Sequence, residues 1–117
     1  MTILIVEDNS GIRRLLRNVV ADFAEEVWEC SDGADALAAF GEHMPDVILM
    51  DIRMPRQDGL ASTRQIRRHY PQACIIIVTD YDDDELRRAA NAAGAVGYLL
   101  KQDMTNLRQQ IEVAMRR

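Results

Sequence analysis

Apolar residues in this chain follow two rhythms: short β-rich apolar runs, and stripes spaced three or four residues apart. The runs are "TILIVE" (2–7), "EVWECS" (26–31), "DVILMD" (46–51), "ACIIIVT" (73–79) and "VGYLL" (96–100). Their length and β-branched content predict strands, and the continuous apolar character of "ACIIIVT" suits a strand covered on both faces. The stripes fall between them. After the capping residues of "DNSG", a helix over 11–23 places Ile12, Leu15, Leu16, Val19, Val20 and Phe23 on one face. "SDG" opens a short helix around Leu37 and Phe40, and another runs near 60–69. "DDDELRRAANAAG" (82–94) predicts a helix whose acids sit in the first turn, where the helix dipole favours them. Met104 to Met115 form the last helix, with Leu107, Ile111, Ala114 and Met115 as its apolar face.

Strands alternating with helices, at spacings too long for hairpins, imply parallel pairing through right-handed crossovers. The fold expected is a doubly wound, flavodoxin-like α/β sandwich: a five-stranded parallel sheet of order 2-1-3-4-5 with five helices. Ligands of such sheets lie beyond the carboxyl ends of the strands, where the order reverses. The first strand ends in Glu7 and Asp8, the third in Asp51 and the fourth in Thr79, while Lys101 follows the fifth.

Asp51 is the residue to explain, because four apolar residues run straight into its carboxylate. Burying a charge without a partner costs several kcal/mol or a large pKa shift. The ordinary explanation of an Asp at a strand end is a turn. Ordinary explanations also exist for helix-capping acids at Glu7 and Asp8, a strand residue at Thr79 and a snorkelling surface base at Lys101. Four such coincidences at one sheet edge are the weaker account. Crowded carboxylates repel and need a cation, and an all-oxygen set favours a hard one, Mg²⁺ or Mn²⁺. Lys101 supplies a mobile point charge suited to a phosphoryl group, and Thr79 a donor to one of its oxygens. A carboxylate can itself be the nucleophile, with metal and lysine spreading the charge of a loose phosphoryl-transfer transition state.

Composition narrows the setting. At 117 residues, 48% apolar and 28% charged, the chain reads as one globular domain over 1–117. No apolar run approaches the roughly 20 residues of a membrane span, and "MTILIVEDN" lacks the basic start and cleavage site of a signal peptide. Cys30 and Cys74 are isolated, on strands that are not neighbours, so no disulfide is expected. These features point to a reduced cytoplasm. A net charge of −5 argues against nucleic-acid binding through phosphates. Arg13, Arg14 and Arg17, like Arg64, Arg67 and Arg68, read as solvated helix faces. His43 and His69 fall at helix ends without an obvious partner. Met54 and Pro55 shape the loop after Asp51, and Gly59 is expected to relieve a strained turn.

The segments "ILIVEDN" (3–9), "DGADAL" (32–37), "PDVILMDIRMPRQDG" (45–59), "IIIVTD" (75–80) and "GAVGYLLK" (94–101) occur in order and correctly spaced. Together they make the chain resemble, over essentially its whole length, a response-regulator receiver domain of two-component signal transduction. The resemblance implies that Asp51 accepts a phosphoryl group from a histidine kinase or phosphotransfer protein. It assigns Asp8, Asp51 and the backbone carbonyl of Arg53 to Mg²⁺ or Mn²⁺, with Glu7 acting mainly through water. Thr79 and Lys101 would hold the phosphate, and Tyr98 would be the switch aromatic that turns inward when Thr79 moves. It further implies self-phosphorylation and dephosphorylation without turnover of an external substrate, and homodimerisation on phosphorylation. The output would be a domain or partner protein outside this chain, which is then stand-alone or cut from a longer regulator. "GAVGYLLK" looks most like receivers joined to helix-turn-helix DNA-binding domains, so the implied output is transcription.

Two positions depart from the family pattern. Gln102 stands where the family usually has a proline, often with a cis bond; a non-proline cis bond costs about 2.5–4 kcal/mol, which weighs against one at Lys101–Gln102. Asp80 stands where a small residue is favoured and, with Asp82, Asp83 and Asp84, is expected to give the phosphate site an acidic rim. Both bear on rates more than on activity. Two other functions fit the fold. An enzyme or flavin carrier lacks support, because there is no P-loop or dinucleotide glycine pattern. Arg53 also stands where a haloacid-dehalogenase-type phosphatase would have its second carboxylate. A phosphorylation-independent interaction module would have no need of Glu7, Asp8, Asp51, Thr79 and Lys101 together.

Overall fold

In the computed structural model, which describes residues 1–116, the five apolar runs become parallel strands. They are β1 (Thr2–Val6), β2 (Glu26–Cys30), β3 (Val47–Met50), β4 (Ile75–Thr79) and β5 (Gly97–Leu100). The sheet has the expected order β2-β1-β3-β4-β5. The helices α1 (Ser10–Val20), α2 (Ala36–His43), α3 (Gly59–His69), α4 (Asp84–Ala93) and α5 (Leu107–Met115) cover both faces. A 3₁₀ turn, Gly33–Asp35, leads into α2, and another, Lys101–Asn106, leads into α5.

Alternation along the central strands builds two apolar layers. Ile3, Ile5, Val47, Leu49, Ile76 and Val78 pack against Leu16 and Val20 of α1 and Leu107 and Ile111 of α5. Leu4, Val6, Ile48, Met50, Ile75 and Ile77 face Phe40 of α2, Ile66 of α3 and Ala90 of α4. Because β1, β3 and β4 are buried on both faces, the register of every central strand is fixed, and with it the residue at each strand end. Asp51 follows β3 immediately, with its N–H donated to Val6 O at 2.9 Å.

Helix boundaries follow local capping. Asn9 accepts from Ile12 N, Asp58 from Ala61 N and Asp83 from Leu86 N. Gly94, at φ 109°, closes α4 in a conformation that disfavours other residues.

Several expectations change in detail. Helix α1 stops at Val20, because Phe23 N and Ala24 N both turn back onto Val20 O; Phe23 packs on the core from that turn. Leu15, expected on the apolar face, is 45% exposed. The last helix begins at Leu107 rather than Met104, since the residues up to Asn106 stay in a 3₁₀ turn that Asp103 kinks (φ −101°, ψ 33°). Gly59 is not in a strained turn. A Cβ there would stand 1.8 Å from the carbonyl oxygen of Asp51, so close approach to the strand end demands glycine.

Cys30 and Cys74 form no disulfide; β1 and β3 lie between the strands that carry or follow them. His43 does have a partner, stacking on Trp28 at 3.9 Å, and His69 Nδ1 lies 3.0 Å from Gln65 O. Nor are the arginines all solvated. Arg13 and Arg17 pair with Glu29 of β2, and Arg67 donates to the carbonyls of Pro71 and Ala73. Among the described residues no peptide bond is cis, so Lys101–Gln102 is trans. No helix among them is long and apolar enough to cross a membrane.

Candidate functional site

Reversal of chain order between β1 and β3 opens a cleft of about 350 Å³ at the carboxyl edge of the sheet. Asp8, Asp51, Arg53, Asp80, Tyr81 and Lys101 line it. Glu7 and Asp8 arrive from β1, Asp51 from β3, and Lys101 opens the 3₁₀ turn after β5. Thr79 ends β4 and is fully buried. Carboxylate oxygens of Glu7, Asp8 and Asp51 lie within 4.8 Å of one another.

Asp51 is 7% exposed, and its Oδ1 accepts from Ile52 N at 2.9 Å. Lys101 Nζ stands 3.3 Å from the same oxygen and 2.8 Å from Glu7 Oε1. Burial pushes the Asp51 carboxyl up to about 7; contact with Glu7 and its charge add to this, while Lys101 pulls the other way. Burial works against the Lys101 ammonium, but contact with Glu7 and the charges of Asp51 and Glu7 outweigh it and raise its pKa.

Lys101 is therefore not the mobile charge expected. Its side chain is only 11% exposed and is anchored between two carboxylates. Glu7, 1% exposed, is engaged by protein on both oxygens: Lys101 on one and Asn9 N, at 3.1 Å, on the other. It holds the lysine as well as charging the cleft.

A second chain of contacts leads away from Thr79. Its Oγ1 accepts from Tyr81 N at 3.3 Å, and Tyr81 O accepts from the Tyr98 hydroxyl at 2.6 Å. Tyr98 is half-buried, with the Arg87 guanidinium 4.8 Å above its ring. Arg53, expected to matter only through its carbonyl, lays its guanidinium 4.7 Å above the ring of Tyr81 across the mouth of the cleft. Sequence reasoning missed Tyr81; the available signal was an aromatic residue in the loop two places after Thr79.

The acidic rim is smaller than expected. Asp82 pairs with Arg87 at 2.7 Å, Asp83 caps α4 and Asp84 sits in its first turn. Asp80 is the one of the four that lines the cleft, and it is exposed.

The oxygen-only donor set, its convergence and its surplus of negative charge fit a hard divalent cation. Asp8 is exposed, with its carboxylate open to the cleft.

Residues 3–112 match the family model of the response regulator receiver domain. The chain belongs to that family. It is 37% identical over 99 residues to the regulatory protein AtoC of Escherichia coli, covering 85% of this chain and 22% of that protein. It is 35% identical over 99 residues to the chemotaxis protein CheY of Halobacterium salinarum, covering 85% of this chain and 82% of that one. Among solved structures, a LuxR-family two-component response regulator from an Aurantimonas species superposes with a TM-score of 0.92. That pair is 30% identical, covering 98% of this receiver and 84% of that chain. This receiver thus spans about a fifth of one relative and most of another.

Proposed function

We propose that this receiver is a switch charged on Asp51 by a phosphohistidine of a histidine kinase or phosphotransfer protein. The observation that carries the reading is Asp51 itself: a nearly buried carboxylate facing an anchored ammonium, beside two further acids, at the edge where the sheet order reverses. One Asp51 oxygen attacks phosphorus as the phosphorus–nitrogen bond of the donor breaks, and the departing imidazole takes up a proton. Asp8, Asp51 and the backbone carbonyl of Arg53 would hold Mg²⁺ or Mn²⁺. Such an ion supplies positive charge that favours the Asp51 carboxylate and offsets the charge on the phosphoryl oxygens. Lys101, already 3.3 Å from Asp51, pairs with a phosphoryl oxygen. Thr79 accepts from Tyr81 N, which leaves its own O–H to donate to another oxygen. As the hydroxyl moves inward it lets go of Tyr81, whose carbonyl holds Tyr98, and the aromatic follows.

The same reading places the protein in the cytoplasm and treats 1–117 as one phosphoacceptor domain that does not itself bind nucleic acid or membrane. It passes its state to an output domain or partner, with homodimerisation as one route. Likeness to AtoC and to the DNA-binding transcriptional regulator NtrC of Escherichia coli supports transcription as that output. Intact-protein mass spectrometry with a small phosphodonor and Mg²⁺ is expected to show one added phosphate. The label should be absent in Asp51→Asn and in chelator. Full labelling in either condition contradicts the assignment; no labelling of the wild type favours a phosphorylation-independent interaction module.

A further inference from the structure

The loop from Ile52 to Asp58 carries Arg53, and what fixes that loop lies outside the cleft. Asp32, ahead of the 3₁₀ turn Gly33–Asp35, is 4% exposed. Its Oδ1 accepts from Ala34 N at 2.9 Å and Gln57 N at 3.2 Å, and its Oδ2 from Arg56 N at 2.9 Å. Capping the turn needs only the first of these. The other two cross 24 and 25 residues of sequence to grip the backbone of the loop.

The fit around this grip is close. A Cβ at Gly33 would stand 2.3 Å from Gln57 O and 2.2 Å from Ser62 Oγ. Ser62, fully buried, has its hydroxyl 2.9 Å from Gly33 O and accepts from Gln57 Nε2 at 3.0 Å. At the near end, Gly59 N donates to Ile52 O at 2.7 Å. Between these two anchors stand Arg53, Met54 and Pro55. Proline fixes its own φ and restricts the residue before it, so the segment has little slack to absorb a shift at Arg56.

We infer that Asp32 is a positioning residue for the cation site, holding the Arg53 carbonyl in place by gripping Arg56 and Gln57 from behind. This rests on the reading of Asp8, Asp51 and the Arg53 carbonyl as the cation's ligands. Groups that orient ligands without touching the metal typically change its affinity by about 10- to 100-fold when removed.

The test is Mn²⁺ titration of the 117-residue chain followed by water-proton relaxation. Asp32→Ala is expected to weaken Mn²⁺ binding by about tenfold. Asp32→Asn keeps one oxygen for Ala34 and Gln57 but turns an amide NH₂ onto the Arg56 N–H, so a loss of roughly threefold is expected. This milder variant carries the test if the alanine variant does not fold. Ile111→Val trims the opposite apolar layer and is expected to lower thermal stability while leaving Mn²⁺ affinity unchanged. Wild-type affinity in folded Asp32→Asn overturns the inference, and so does an equal loss in Ile111→Val. A wild-type chain that binds no Mn²⁺ overturns the reading of the site itself, and the inference with it.

Discussion

Asp51 and Asp80 are both acids at strand ends, yet their surroundings give them opposite roles. Asp51 is gripped by Ile52 N and Lys101 inside the cleft, whereas Asp80 stands exposed on its rim. Capping does not account for Asp80, since Asp83 fills that position for α4. A negative charge on the rim opposes an incoming phosphoryl group. At about 6 Å and an effective dielectric of about 20, two unit charges repel by roughly 3 kcal/mol. Lys101 and the proposed cation would neutralise most of that field, leaving about 1 kcal/mol in the transition state, or roughly a fivefold rate effect. Asp80→Ala should therefore accept phosphate from a small anionic donor several-fold faster than wild type, with the gap narrowing as salt rises. Asp80→Asn should share most of the gain, because it removes charge and keeps shape. Stopped-flow rates decide the point: acceleration by Ala but not Asn makes the barrier steric, and no change in either leaves the rim charge without kinetic effect.

At the scale of elements, α4 is the least firmly held helix near the site. Its buried residues are Ala90 and Ala93, with Leu86 only half-covered, and such small side chains bury little area at about 25 cal/mol per Å². Its N-terminus follows the loop in which Tyr81 links Thr79 to Tyr98, while Arg87 on its first turns covers the Tyr98 ring. A shift of Thr79 thus reaches α4 through one short chain of contacts, and low local stability lets it respond. Hydrogen exchange should change more across residues 81–100 than across α1 when the protein is phosphorylated. Equal change in both regions would contradict this.

The same element shows what a linear reading can and cannot see. Acids followed by alanines and a glycine read directly as a helix with its two ends, because capping is local. The continuous apolar runs of β1, β3 and β4 read directly as buried strands, and the alternation of runs with helices yields the sheet order. The boundaries of α1 and α5 did not read so well, since a turn at Val20 and a non-helical Asp103 leave the apolar spacing intact. Within the site, residues at strand ends were legible because topology brings every strand end to one edge. The roles of Tyr81, of the Arg53 side chain and of Asp32 were not, because they arise from contacts between loops that no spacing rule connects. Gly59 was singled out for the wrong reason: its neighbour is the Asp51 carbonyl, eight residues back in sequence but in contact in space.

For the whole molecule, two apolar layers hold the sheet rigid from either side, so the carboxyl edge can carry a concentration of charge that the core could not tolerate. Four of the five strands bring three acids, a threonine and a lysine to one edge, and Lys101 bridges the two strand ends that flank the reversal. On the function proposed above, this architecture exists to make and hold an acyl phosphate on one side chain. Borohydride reduces an acyl phosphate to an alcohol, turning a phosphorylated aspartate into homoserine. After charging with a small phosphodonor in Mg²⁺, reduction, digestion and tandem mass spectrometry, homoserine should appear at position 51 and at no other aspartate. Homoserine at Asp8 or Asp80 instead, or none anywhere in a charged sample, would contradict the account.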